Sequence, residues 1–169
     1  MNQYNRAGYG GGGQQGGRQQ GYAGGRDLPR DDRVTNYWPD YLKGGYFDDD
    51  GCLKIEYVSR EKVEPLVKKM ASLTSHQVRR YFGHCRALET RLKSGGTSWT
   101  AVWPEVKKLA IAASDGVSKS PPKIPTLFHD FIQRNVDAIK SEKDFLKGFL
   151  PHFEALVGFG QAHFKKERS

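Results

Sequence analysis

The side chains with the widest chemical repertoire in this sequence are five histidines, two cysteines and nineteen acids. The histidines are His76, His84, His129, His152 and His163, and no two stand in an H-x-x-x-H or H-E-x-x-H arrangement. His84 and Cys85 are neighbours, but adjacent helical residues point about 100° apart and do not converge on one ion. No catalytic residue and no metal set is assigned, and no cofactor is expected. The glycine runs near the N-terminus have no following Lys-Ser or Lys-Thr and no preceding strand pattern, so they match neither a P-loop nor a Rossmann turn. Asp48-Asp49-Asp50-Gly51 imitates a calcium loop only in part. With Gly51 at the sixth position, Tyr46 and Tyr57 fall where the first and twelfth ligands should be acids. The stretch reads as a turn instead.

What remains is positive charge. The 169 residues carry 27 Lys+Arg against 19 Asp+Glu, a formal +8. A polyanion is the expected partner, with nucleic acid the first candidate. No apolar run approaches the ~20 residues that span a bilayer, and no N-terminal apolar stretch resembles a secretory signal. Two cysteines cannot make a disulfide framework, so a cytoplasmic location is expected.

The charge is densest between Ser75 and Lys93, where Arg79, Arg80, Arg86, Arg91 and Lys93 face one acid, Glu89. On a helical wheel Arg79, Arg86 and Lys93 flank one edge of the apolar stripe, and Arg80, His84 and Arg91 flank the other. Seven helical residues rise about 10.5 Å, a pitch at which arginine forks can meet successive phosphates. Gly83 leaves room for another backbone on the polar side. Lys107, Lys108, Lys119, Lys123 and Arg134 add charge; Lys68-Lys69 and Lys165-Lys166 read as plain surface. Most aromatics fall on inward faces, which favours sequence-tolerant backbone contact.

The elements that must position these residues are helical. Ser59 begins a first helix limited by Pro65. Thr74 and Gln77 form a T-x-x-Q capping box before the apolar stripe Val78, Tyr81, Phe82, Cys85, Leu88 and Leu92, which Gly95-Gly96 stops. A third helix runs from about Ser98 to Ala113, with Pro104 disturbing or opening it and Trp99 and Trp103 facing inward. A proline-rich loop over 118–125 precedes a fourth helix opened by Thr126 or Ile124. Ser141 and Asp144 cap a fifth, which Pro151 should kink. No period-2 run after residue 58 forces a sheet. The reading is all-α: a compact bundle of about five helices over 59–169. An irregular aromatic segment, 27–58, packs on it. Residues 1–26 hold ten of the twenty glycines with no acid and no lysine, a composition that predicts a disordered tail.

Four strings then stand together: Gly45-Tyr-Phe-Asp-Asp-Asp-Gly51-Cys-Leu, Leu73-Thr-Ser-His-Gln-Val-Arg-Arg-Tyr-Phe82, Phe128-His-Asp-Phe131-Ile, and Asp144-Phe-Leu-Lys-Gly-Phe-Leu-Pro-His-Phe-Glu-Ala-Leu-Val157. Over roughly residues 41–160 the chain resembles the small subunit of type III-A CRISPR interference complexes, the Csm small subunit. The Leu73–Phe82 string favours III-A over III-B. Lys107-Lys108-Leu109-Ala110 lies where the family often carries a Lys-containing stretch followed by Tyr and Arg, but here Ile111-Ala-Ala-Ser-Asp follows instead. The resemblance implies a non-catalytic subunit. Its copies stack as a filament beside the backbone subunits that hold the CRISPR RNA, and their basic faces line the channel of the target RNA. RNA cleavage would belong to the backbone subunits, and DNase or second-messenger activity to the large subunit. Gln77 and Arg79 carry over most directly. Arg79, Arg80 and Arg86 are the first-choice contacts to target-RNA phosphates; Lys107, Lys108 and Arg134 follow. Two other readings stay open: a free-standing single-stranded RNA binder using the Gly/Arg tail, and a protein scaffold whose arginines pair with acids on neighbouring subunits.

Overall fold

The Thr74-x-x-Gln77 pattern predicts where the longest basic helix begins, and a computed structural model, which describes residues 32–166, places it there. The Thr74 hydroxyl accepts from the Gln77 amide N–H while the Gln77 carboxamide oxygen accepts from the Thr74 N–H at 2.9 Å. The expected tail, 1–26, and the first residues of the segment that follows lie outside the described residues.

Six α-helices follow in order: α1 (Val34–Tyr37), α2 (Arg60–Lys69), α3 (Ser75–Lys93), α4 (Trp99–Ser118), α5 (Thr126–Ala138) and α6 (Leu150–Gly160). A 3-10 turn (Ile55–Val58) precedes α2 and a π-helical stretch (Asp144–Phe149) runs into α6. Among the described residues there is no strand, only two isolated bridges, Phe47 with Leu53 and Thr74 with Lys165. The all-α reading holds.

Most boundaries follow local chemistry. Ser98 caps α4 through the Ala101 N–H. Gly95 takes the positive φ of +72° that closes α3, a conformation that costs glycine little. Asp144 and Ser141 exchange hydrogen bonds ahead of the last helical run. Three expectations are revised. Pro65 does not limit the first helix but lies inside α2, which runs on to Lys69. Pro104 neither opens nor ends α4, which starts at Trp99 and continues to Ser118. Pro151 sits in the first turn of α6, where its missing N–H matters little, and the stretch before it widens so that the Leu150 N–H reaches Phe145 O, five residues back. The chain absorbs the proline by this widening.

Aromatic and aliphatic side chains of all six helices share one core. Trp99 and Trp103, expected to face inward, are only half-buried and lean on its edge, their rings 5.3 Å apart and tilted at 37°. The described part of the irregular segment forms part of the core itself. Val34, Trp38, Tyr41, Tyr46 and Tyr57 are all buried, and the polar groups of three of them enter one buried chain of hydrogen bonds. Tyr46 donates to Asn135 Oδ1 at 2.9 Å, and Asn135 Nδ2 donates to Tyr41 Oη at 2.6 Å and to Phe131 O at 2.7 Å. Tyr41 meets His152 Nε2 at 2.7 Å, and His152 Nδ1 meets Tyr57 O at 2.6 Å. A carbonyl only accepts, so His152 carries its proton on Nδ1 and takes the Tyr41 O–H on Nε2.

Gly148 lets this segment approach. A Cβ there would stand 2.5 Å from the Tyr46 ring. Gly148→Ala is therefore expected to lower stability by roughly 1–3 kcal/mol despite alanine's better helix propensity. The urea midpoint checks this; a wild-type midpoint would mean that Tyr46 can swing aside at no cost.

Candidate nucleic-acid interface

Three elements build the site. The edge of α3 that carries His76, Arg80 and His84, at intervals of four, lies against α4, which contributes Lys108 and Asp115. The loop after α4 returns Lys123 to the same place. Between them is a groove of about 620 Å³. A second hollow of about 660 Å³ joins it through the shared residues Gln77 and Lys123 and ends at Lys165 and Lys166. The two form one trough across the N-terminal half of α3.

Local bonding holds the trough open. The Gln77 side chain caps α3 with its oxygen and donates its amide to Lys123 O, pinning the loop. Lys123 N returns to Gly116 O. The C-terminal strip is held by Lys165 N donating to Leu73 O. His84 Nε2 donates to Glu105 O at 3.1 Å. Lys108 pairs with Glu105 at 2.8 Å, and this hydrogen bond holds the Glu105 carboxyl below its usual range. Asp115, the acid in the trough, is bound by Lys119. Among the described residues the head groups of Arg80, Lys123, Lys165 and Lys166 make no hydrogen bond or ion pair, so their charge is available.

The sequence-predicted residues divide. Gln77, Arg80 and Lys108 meet in the trough. Arg79 and Arg86 lie on the opposite edge of α3, as the wheel requires. Arg79 donates to Gln161 just past α6, and Arg86 is held by Glu89 at 2.6 Å. Glu89 is 8% exposed and also holds Lys93 at 2.6 Å. Two of the three cations in the seven-residue row thus share one acid. Lys107 points away from Lys108, over the Trp103 ring at 4.6 Å. Arg134, on α5, is paired with Asp130 at 2.7 Å. Gly83 is exposed with open space around it. Cys85 is fully buried, and burial pushes its thiol up to about 12, as suits a core residue.

Sequence reasoning missed the place of Lys165 and Lys166, which read as plain surface, and of His76. The signal for His76 is present in the His76–Arg80–His84 spacing. For the two lysines there is none, because only the tertiary turn at the chain end brings them to α3.

Among the described residues, no three His, Cys, Asp or Glu side chains are grouped to hold a metal ion, and no helix is long and apolar enough to cross a membrane. Fold and site define a small, basic, all-helical protein that presents its positive charge along a trough. Residues 57–166 match the family model for Csm2 Type III-A. The chain belongs to that family, the small subunits of type III-A Csm complexes. Comparisons with curated proteins and with solved structures returned no match.

Proposed function

We propose that this subunit supplies no catalytic group and serves as an RNA-supporting spacer in a cytoplasmic type III-A effector complex. Copies stack beside the backbone subunits, close to the large subunit, and the trough carries the target RNA of the guide–target duplex by its phosphates. The observation that supports this reading most is the continuity of the trough. Arg80, Lys108, Lys123, Lys165 and Lys166 line one path with a single acid already neutralised by Lys119. Base pairing with the CRISPR RNA then reads sequence, and the protein contributes charge and shape. Arg79, Arg86, Lys107 and Arg134 form a weaker second set, since each is held by a partner outside the trough; Lys108 is paired too, with Glu105, but stands on the trough wall.

The test is target-RNA binding by the assembled complex across a salt series. Replacing Arg80, Lys108 and Lys123 with alanine together is expected to weaken binding and to flatten the salt dependence. The slope should fall by roughly 0.7 for each phosphate that the variant no longer neutralises. Thermal melting should barely move, since none of the three side chains is buried. Arg79→Ala with Arg86→Ala should have a smaller effect. An unchanged slope in both variants would overturn the assignment. Undiminished assembly with the partner subunits would then leave the scaffold reading.

A further inference from the structure

The groove between α3 and α4 is more than a charged track. Its floor is apolar: Leu109 and Ile124 are almost fully buried, and Ala112 and the half-buried Tyr81 ring complete it. The Tyr81 hydroxyl donates to Ala112 O at 3.0 Å, and the ring meets Phe128 edge-on at 5.2 Å, so the tyrosine is fixed in place. Gly116, itself buried, lets Ile124 pack close against α4 to form the floor. A Cβ there would come within 3.1 Å of Ile124 and 3.4 Å of the Tyr81 oxygen. The rim is cationic, with Arg80, His84, Lys108 and Lys123. A purely electrostatic track needs neither depth nor an apolar floor. A flat, apolar-faced group attached to a phosphate needs both. The volume of about 620 Å³ falls in the range of small-molecule sites, roughly 300–1,000 Å³.

We infer that this groove is a nucleotide-sized pocket that takes one unstacked base of the bound RNA, its phosphate held by the rim. The inference rests on the RNA-supporting reading and adds base insertion to it. An aromatic or apolar floor accepts any base, because each has an apolar face. The pocket would therefore capture a base by position along the strand rather than by identity.

The probe is an RNA strand carrying 2-aminopurine at successive positions, bound to the assembled complex, with an abasic strand and free AMP in parallel. Ala112→Phe fills the pocket from an exposed position without touching a cation. A periodic change in 2-aminopurine fluorescence, lost in Ala112→Phe while strand binding persists, is expected. An abasic nucleotide at the responsive position should weaken binding by about threefold to thirtyfold. AMP that binds the full chain and is displaced by Ala112→Phe would assign the pocket to free nucleotides as well as to the strand. Normal strand binding with no fluorescence change, no abasic effect and no AMP binding would overturn the pocket and leave the phosphate track intact. Absence of strand binding in wild type would overturn both. Ala112→Val, a smaller filling, guards against misfolding: an intermediate fluorescence response is expected, and a wild-type response overturns the assignment.

Discussion

Asn135→Ala is expected to destabilise the protein by roughly 3–5 kcal/mol, lowering its melting temperature by roughly 10–20 °C. Asn135 is fully buried, and its carboxamide is the junction of the hydrogen-bond chain that ties the N-terminal segment to the helices. Truncation removes the acceptor of the Tyr46 O–H and the donor to both Tyr41 Oη and Phe131 O. Each buried polar group that loses a partner costs up to about 1–3 kcal/mol, and the cavity left by the side chain adds to this. No buried side-chain nitrogen or oxygen lacks a partner among the described residues; after truncation the Tyr46 O–H keeps only a long bond to the Asn135 backbone carbonyl, 3.4 Å, and Tyr41 keeps only His152. Chemical denaturation of the full chain checks the magnitude. A loss below about 1 kcal/mol would mean that water enters and replaces the amide. Asn135→Asp separates packing from bonding: it keeps the shape but cannot donate to Tyr41, and should be nearly as harmful at neutral pH.

Acid should melt the protein through His152. Burial holds its imidazole down to about 4, against an ordinary value near 6.5, with the bond to Tyr57 O acting weakly the other way. The folded state therefore keeps His152 neutral where the unfolded chain protonates it. Between pH 6.5 and about 4 the unfolded state binds the extra proton. Stability is full above pH 6.5 and falls as pH drops, by up to about 1.4 kcal/mol per unit, or about 3 kcal/mol across the window. Below pH 4 this contribution has gone. The charged groups nearest the network, Asp130, Arg134 and Asp144, are placed further out in the structure, at half-buried positions. The measurement is the denaturation midpoint against pH for wild type and His152→Gln. The variant should start lower and lose less on acidification, so the two curves converge toward pH 4. Curves that stay parallel would show that His152 is not neutral in the fold.

How far these features are legible in sequence depends on how local their causes are. The capping box of α3, the glycine stop and the Ser141–Asp144 pair are set by contacts within four residues, and all three can be read from the chain alone. So can the division of the α3 cations between two edges. The relative weight of those edges cannot, for a visible reason. Glu89 stands three residues after Arg86 and four before Lys93, the spacing of helical ion pairs, and it occupies the edge that looks most regular. The trough on the other edge needs α4, a loop and the chain end, and no periodicity links those elements. Trp38, Tyr41, Tyr46 and Tyr57 have no regular spacing either, because the segment carrying them is shaped by turns and by positive-φ glycines at 44, 45 and 51. Their depth is a tertiary fact.

That depth separates two boundaries that are easily taken as one. The region matched by the family begins at residue 57. The packed core reaches back at least to Val34, whose amide is bound by Asp130 and whose side chain is fully enclosed. A chain cut at residue 57 would keep every matched position, yet it would strip Tyr41 and Tyr46 from Asn135 and His152 and open one wall of the core. The family match and the packed core therefore begin at different places. In hydrogen exchange, the amides of α5 and the Val34–Val58 segment should open together, as one piece.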